Sequence, residues 1–180
     1  MAANDDAATP LMARITHLEM VAPPAQRVTM PLGLRLAVMR TREMPLSFYR
    51  FIYREVGKPH HWLFRRNTPD QELSAIIHSE KTEIQVLYAE GSPAGFFELD
   101  LRRLPEEAEI VYFGILPDFQ GRGLARFFLS EAIFAAWAHQ PSRLVIHTNT
   151  LDNPRALQLY QRAGFSPYAY DQEVVDPWTD

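Results

Sequence analysis

The chain has 180 residues, a formal net charge of −4 and no cysteine. This length suits one well-cored domain and is short for two. The lack of cysteine excludes disulfide bonds, thiolate nucleophiles and cysteine-ligated metals. The acidic balance gives no support for nucleic-acid binding, and no apolar run approaches membrane length. We therefore predict a protein without a nucleic-acid or membrane partner, and assign it to the cytoplasm by default.

The first thirteen residues, 1–13, are predicted to be a disordered leader, and residues 14–180 a single domain. The chain begins MAANDDAATP, an acidic and polar stretch that lacks the basic and apolar regions of a secretory signal. The domain is expected to carry all of the regular structure.

Hydrophobic periodicity and turn residues predict an alternation of strands and helices. Thr68 and Gln71 have the spacing of a capping box, and Gly91, Ser92 and Pro93 predict a hairpin turn. In chain order the predicted elements are strands at 15–21 and 32–40, helices at 45–57 and from Thr68, strands at 83–90, 94–101 and 108–116, a helix after Gly123, a strand at 143–149 and a helix at 154–163. Hairpins followed by strand–helix–strand–helix indicate an α/β (α+β) domain, with one mixed sheet of six to seven strands flanked by helices.

The stretch PDFQGRGLARFFL, residues 117–129, places two glycines and an arginine at the predicted start of a helix. A helix N-terminus presents unpaired N–H groups and the positive end of the helix dipole. Glycine lets an anion approach that backbone closely. We predict a pyrophosphate cradle with Arg122 as an added cation, although a tight turn without a ligand is the alternative. The predicted cradle consists of Gln120, Gly121, Arg122, Gly123, Leu124 and Ala125.

Two other phosphate-binding motifs do not fit this stretch. No Lys-Ser/Thr pair follows the glycines, which excludes a P-loop. The glycine spacing, and the LPDF segment between strand and glycines, exclude a dinucleotide-binding fingerprint.

The segment GILPDFQGRGLA resembles motif A of the GNAT acetyltransferase superfamily, whose signature is Gln/Arg-x-x-Gly-x-Gly/Ala. The segment NPRALQLYQRAGF resembles motif B. With the strand and helix that belong to each motif, motif A occupies about 108–138 and motif B about 143–168. Two ordered motifs at the right separation are far more specific than either alone. The matching positions are Gln120, Gly123 and Ala125 in motif A, and Asn153, Ala156, Tyr160, Gly164 and Phe165 in motif B.

The resemblance implies direct transfer of acetyl from acetyl-CoA to an amine, without a metal. The cradle would hold the CoA pyrophosphate, and Asn153 would be a further cofactor-binding residue. The superfamily's fourth strand diverges from the fifth, which would leave backbone groups at Ile115 and Leu116 free for the pantetheine arm and the developing oxyanion. The pocket around Ile115 and Phe113 would set the length of the acyl group.

Acid–base chemistry is the next requirement. An amine with a pKa near 10.4 is only about 0.04% neutral at pH 7, so unassisted attack forfeits about 4 to 5 kcal/mol. The resemblance places Glu109, within AEIV, at the position of the base in histone-acetylating members. Glu98, with Asp100 on the same face, is the second candidate, and ordered water the third. Tyr160 lies where many members place the donor to the thiolate; an aromatic packed in the core is its alternative.

The run His60, His61 and Trp62 is the remaining candidate feature. Adjacent histidines lack the usual spacing of metal ligands, so we predict no metal site. We expect His61, Trp62 and Glu98 to line the acceptor cleft; for His61 and Trp62 a packing or surface role is equally plausible.

These features predict an acetyl-CoA-dependent N-acetyltransferase acting on a primary amine. Two alternatives stay open: a non-catalytic CoA-binding sensor or interaction module, and an acyltransferase that uses a longer acyl-CoA. The amine, which could be a polyamine, an aminoglycoside, an amino acid or a protein amine, is not identified by the sequence. The oligomeric state is equally open, a homodimer included.

Overall fold

The computed structural model describes residues 9–179 and contains seven strands and five α-helices in that range. The strands are β1 (Leu11–Met20), β2 (Leu36–Arg40), β3 (Thr82–Ala89), β4 (Ser92–Asp100), β5 (Glu107–Ile115), β6 (Arg143–Asn149) and β7 (Ser166–Val175). The helices are α1 (Leu46–Gly57), α2 (Phe64–Asn67), α3 (Asp70–Ile77), α4 (Leu124–Trp137) and α5 (Ala156–Ala163), and short 3₁₀ turns lie at Lys58–His60 and Pro117–Phe119.

All seven strands form one mixed sheet in the order β2-β3-β4-β5-β6-β1-β7, which confirms the predicted fold class. The pair β5 and β6 runs parallel, because α4 carries the chain back between them, and the other neighbours described are antiparallel. Their parallel pairing extends from Glu107 and Arg143 only as far as Ile110 and Ile146. Beyond that point the two strands part, and the sheet opens.

Two hydrophobic cores cover the two faces of the sheet. Phe96 and Phe97 are neighbours on β4 and are both fully buried, because successive side chains of a strand point to opposite faces. Phe97 packs in the core that contains α4 and α5, and Phe96 in the core that contains α1 and α3. Gly114 lets α1 approach β5 closely, since a Cβ there would collide with Val56.

The ends of the sheet differ from the sequence prediction. Strand β1 begins at Leu11, inside the segment predicted as a leader, and it lies between β6 and β7. Residues 1–8 of that predicted leader lie outside the described residues. Strand β2 begins at Leu36 rather than at 32, after a turn in which Gly33 has φ +85°. Strand β7 was not predicted, because most of its residues are exposed and the apolar alternation is missing.

Local hydrogen bonding also corrects the predicted start of the second long helix. The Thr68 hydroxyl donates to the Phe64 carbonyl at 2.8 Å and so closes α2 instead of capping α3. Helix α3 begins at Asp70 without a side-chain cap, and Asp70 and Glu72 in its first turn complement the helix dipole. The predicted capping box is therefore wrong.

The hairpin turn lies one residue earlier than predicted. Glu90 and Gly91 have φ +51° and +84°, the left-handed pair that a two-residue hairpin turn requires. Ser92 and Pro93 already belong to β4.

Candidate active site

A cleft of about 1580 Å³ opens where β5 and β6 part. Pockets for one drug-sized ligand usually measure roughly 300–1,000 Å³, so this cleft has room for an extended cofactor and a second substrate. Its walls come from the diverging strands, from helices α4 and α5, from the segment at 24–28 and the segment between α1 and α3, and from the end of β7.

The predicted cradle forms part of this wall at the start of α4. Gly121 and Gly123 have φ +74° and +76°, and open space surrounds the position of an added Cβ at both. Glycine is therefore required there by the backbone conformation rather than by packing. The Gln120 amide donates to the Ile115 carbonyl at 3.1 Å and ties the cradle to β5. Leu124 and Ala125 complete the part of the cradle that lines the cleft.

Arg122 does not line the cleft. Its guanidinium donates to the Asp118 carbonyl at 3.0 Å and lies 5.2 Å from the Phe119 ring centroid. The cations along the cleft are Arg126, Arg155 and Arg162, which the sequence analysis missed. The residue spacing could have indicated these cations. Arg126 is one helical turn beyond Arg122. Arg155 and Arg162 are seven residues apart, which places them on one helical face.

The backbone of β5 explains why Ile115 and Leu116 differ. The Leu116 N–H donates to the Ala94 carbonyl at 2.8 Å, and its side chain is buried outside the cleft. Peptide directions alternate along a strand, so the Ile115 peptide faces the other edge, where β6 has ended its pairing. Ile115 lines the cleft as predicted, and Leu116 does not.

Tyr160 lies on α5 beside the cleft and is only 6% exposed. Its ring meets Phe113 edge-on, with centroids 6.4 Å apart. Burial, with a smaller contribution from the Asp152 carboxylate, raises the pKa of Tyr160 well above its ordinary value. The phenol therefore stays protonated at neutral pH, as a proton donor must.

Asn153 lies at the entrance to α5 and lines the cleft. Its Oδ1 accepts a hydrogen bond from the Arg155 N–H at 3.0 Å. The α-helix itself begins at Ala156, two residues after the predicted start. Asn153 thus shapes the turn that presents Arg155 to the cleft.

Glu98 is enclosed in a buried network and does not line the cleft. It is 1% exposed; its Oε2 accepts the Tyr49 hydroxyl at 2.5 Å, and its Oε1 pairs with Arg65 at 2.6 Å. Both oxygens are therefore engaged in contacts within the fold, and the carboxylate is buried away from the cleft. Asp100, predicted on the same face, binds Arg102.

Glu109 is half-buried and faces a histidine that the sequence analysis missed. Its Oε1 lies 3.4 Å from Nδ1 of His147, and His147 lines the cleft whereas Glu109 does not. The Glu109 carboxylate, which accepts from the His147 ring, is the main reason why the pKa of His147 is raised, while partial desolvation opposes the shift. The sequence feature that could have indicated His147 is its position directly after the apolar residues Leu144–Ile146 of the strand RLVIHTN.

His60, His61 and Trp62 all line the cleft, as predicted for the last two, and hydrogen bonds hold each of them in place. Trp62 Nε1 donates to Asp152 at 3.1 Å, and His61 Nδ1 accepts the Trp178 N–H at 2.8 Å. His60 Nδ1 lies 3.2 Å from the Leu151 carbonyl oxygen. The run therefore connects the segment after α1 with the loop after β6 and the end of the chain.

An aromatic wall continues from Trp62. The Tyr112 ring lies 5.1 Å from Trp62 and 5.0 Å from Tyr53, and all three line the cleft. Burial raises the pKa of Tyr112 to about 12, so its hydroxyl is neutral. Carboxylates accompany these rings along the cleft: Glu72, Asp152, Glu173 and Asp176.

Across residues 9–179, no group of three or more His, Asp or Glu side chains is arranged to hold a metal ion. None of the helices described there has the length and apolar character needed to cross a membrane.

A protein-family model described as the acetyltransferase (GNAT) family matches residues 46–165, more than half of the chain. A search of curated proteins finds no significant match. Solved structures with the same fold include a GNAT-family protein from Novosphingobium aromaticivorans, with 16% identity and a TM-score of 0.63, over 94% of this chain and 66% of that one.

Two further structures are similar at the level of the fold. A tandem GNAT protein from the clavulanic acid biosynthesis pathway shows 13% identity and a TM-score of 0.63, over 93% of this chain and 55% of that one. An aminoglycoside acetyltransferase from an uncultured soil metagenomic sample shows 14% identity and a TM-score of 0.58, over 72% and 87%. The chain thus spans 66% or less of the length of the first two structures.

Proposed function

The chain belongs to the GNAT family of acetyltransferases, and from this premise we propose that it transfers acetyl from acetyl-CoA directly to a primary amine. The observation that carries the proposal is the pairing of opposite charges along one cleft. Arginines line it on α4 and α5, and carboxylates line it on α3, β7 and the segment after β7. CoA brings phosphates and the acceptor brings a cation, so each substrate meets complementary charge.

The cofactor end fits a pyrophosphate. Gly121 and Gly123 expose their backbone without a side chain, and the first N–H groups of α4 have no side-chain cap. Arg126 and Arg155 would supply the positive charge that Arg122 was expected to supply. The fit rests on an open cradle, a helix terminus and cations that face the same cleft.

The acyl end favours a short acyl group. Phe113 lines the cleft and packs against Phe128, with centroids 5.7 Å apart, and against Tyr160. In this proposal these rings border the acyl end of the cleft and limit the length of the acyl chain. We therefore favour acetyl-CoA over a longer acyl-CoA, with Tyr160 as the donor of a proton to the departing thiolate.

The acceptor end favours a cationic amine. Trp62 and Tyr112 offer aromatic surface, and Glu173 and Asp176 add negative charge. Aromatic faces and carboxylates both attract ammonium groups. One protein with the same fold is named as an aminoglycoside acetyltransferase, and aminoglycosides are cationic amines. The cytoplasmic location stays a prediction.

A panel of amines tests the proposal, with acetyl-CoA as donor and release of the CoA thiol as readout. The panel contains spermidine, kanamycin, lysine and a peptide with a free N-terminus. Turnover of at least one amine is expected. A rise in melting temperature with acetyl-CoA but no turnover of any amine would favour the CoA-binding sensor. Faster turnover with butyryl-CoA would favour a longer acyl donor.

A further inference from the structure

His147 and Glu109 lie together at the point where the sheet opens, and we propose that His147 is the general base, with Glu109 as its positioning residue. In this arrangement Nε2 of His147 receives the proton of the acceptor amine. The carboxylate of Glu109 holds the ring through Nδ1. This inference rests on the N-acetyltransferase function proposed above.

The strand register places the pair at the opening. Ile110 and Ile146 are the last residues that pair β5 with β6. Glu109 comes directly before this point on β5, and His147 directly after it on β6. Residues at the end of the pairing border the gap between the strands, and His147 lines the cleft there.

The geometry gives the two members different roles. Glu109 Oε1 is 3.4 Å from Nδ1 of His147, and the Glu109 side chain does not line the cleft. Nε2 of His147 makes no hydrogen bond within residues 9–179. The ring therefore has one nitrogen paired with a carboxylate at 3.4 Å and the other available to a ligand. This is the arrangement by which a carboxylate fixes the tautomer and orientation of a histidine base.

The groups around His147 make it a stronger base than a free imidazole. Glu109 from β5, Asp152 from the loop after β6 and Glu173 from β7 all favour the protonated ring, and they raise the pKa of this half-exposed histidine although partial desolvation opposes them. From β1, His17 brings its ring to a centroid distance of 5.9 Å, and its Nε2 is bound to Asp171. A base is most effective when its pKa is close to the working pH.

Two other carboxylates close to the opening of the sheet, Glu98 and Asp152, are already engaged in hydrogen bonds. Glu98 is bound by Tyr49 and Arg65. Asp152 accepts Trp62 Nε1 through Oδ1, and its Oδ2 accepts the Thr148 hydroxyl and the Asn149 N–H. Nε2 of His147, by contrast, lies at the strand opening and has no hydrogen-bond partner within residues 9–179.

The proton balance closes with this assignment. The ammonium group passes one proton to Nε2, and the neutral nitrogen then attacks the thioester carbon. The N–C bond forms and the C–S bond breaks. The departing thiolate takes a proton from Tyr160. The nitrogen, now bonded to the acetyl carbon, loses a second proton, and this proton returns to Tyr160. The proton on His147 leaves to solvent, so the products are an amide, a thiol and one free proton.

Three variants separate this proposal from direct catalysis by Glu109. In the wild type, kcat/KM should rise with pH through the pKa of His147. His147→Gln should lower kcat/KM at neutral pH by about 10²- to 10⁴-fold and remove that acidic limb. In Glu109→Gln the rise of kcat/KM with pH should persist but move to lower pH, because the carboxylate that raises the pKa of His147 is absent. His17→Gln, the matched control, should retain the limb.

The opposite pattern overturns the proposal: a limb that survives in His147→Gln and disappears in Glu109→Gln makes Glu109 the base. The assay uses the panel amine with the highest kcat/KM, so absence of any turnover in the wild type refutes the proposed function instead. A second measurement does not need turnover or a folded His147 variant. NMR titration of the imidazole C–H signals should show one histidine whose pKa falls in Glu109→Gln, and no such fall would contradict the pair.

Discussion

The two ends of the cleft are built in different ways. The cofactor end consists of backbone at two left-handed glycines and the start of α4, within one continuous segment. The acceptor end consists of side chains from distant segments, joined by bonds such as Trp62 to Asp152 and His61 to Trp178. The first end depends on conformation that a short sequence encodes, and the second on tertiary contacts. Mutations should therefore act differently at the two ends.

Tyr160→Phe tests the junction of the two ends, where the largest effect is expected. The change removes the phenolic proton but keeps the buried ring, so folding and CoA affinity should survive. Loss of the proton donor should lower kcat by about 10²- to 10⁴-fold. Steady-state kinetics and CoA binding by calorimetry check this. Tyr168→Phe, at an exposed tyrosine outside the cleft, should match the wild type; equal kcat values in both variants would leave Tyr160 a packing residue.

Glu98→Gln tests whether the acceptor end rests on the buried network behind it. Glu98 and Arg65 have side-chain exposures of 1% and 10%, so the change leaves a buried cation without its partner. Stability should fall by about 3 to 5 kcal/mol, as measured by urea unfolding.

The matched control for this loss is Glu131→Gln, which removes a surface pair with Arg27. Surface pairs contribute about 0 to 1 kcal/mol, so its unfolding midpoint should move far less. In Glu98→Gln the acidic limb of kcat/KM should persist, and its disappearance would restore Glu98 as a candidate base.

Gly123→Val tests the backbone conformation of the cofactor end. A β-branched residue at φ +76° is strained by about 1 to 3 kcal/mol, and its side chain would occupy the surface that must meet phosphate. The Kd for acetyl-CoA should rise by roughly 100-fold or more, for about 3 kcal/mol of lost binding. Gly33→Val carries the same strain at φ +85° but lies outside the cleft. The affinity of Gly33→Val for acetyl-CoA should equal that of the wild type. Weakened binding in both variants would mean that unfolding, and not loss of the cradle, is responsible.

Arg126→Ala and Arg122→Ala form the pair with the smallest expected effect. Arg126 lines the cleft and Arg122 does not. Loss of one partly solvated cation near a phosphate should weaken acetyl-CoA binding by about 3- to 10-fold, with a weaker dependence on salt. Calorimetry at two salt concentrations should show this for Arg126→Ala alone. A larger loss in Arg122→Ala would mean that its side chain turns toward the bound cofactor.

Much of the fold could be predicted because its signals are local. The apolar periodicity of α1 and α4, the glycine ends of helices and the two-faced apolar strand β5 each depend on neighbouring residues. Strand β7 could not be predicted, because an exposed edge strand does not need alternating apolar residues. The capping box at Thr68 failed because the hydroxyl donates to the Phe64 carbonyl at the end of α2 and does not accept an N–H of α3.

The same difference between local signals and tertiary contacts applies to the candidate site. Gln120, Gly123, Ile115 and Tyr160 all line the cleft, and motif and strand position had singled them out in the sequence; their roles stay predictions. The sequence could not separate Glu98 from Glu109, because both are strand glutamates flanked by apolar residues. Only the packing of α1 and α2 against β4 encloses Glu98 with Tyr49 and Arg65.

The sequence by itself determined most of the strand-and-helix order before β7, the glycines at the start of α4 and the family resemblance, because these follow from residues near one another in the chain. The tertiary structure decided which ionisable groups meet. Glu109 and His147 are 38 positions apart by their residue numbers, and they meet because the parallel register of β5 and β6 brings 109 opposite 145. Charge and proton transfer depend on such distances in space, and the linear order of residues does not contain them.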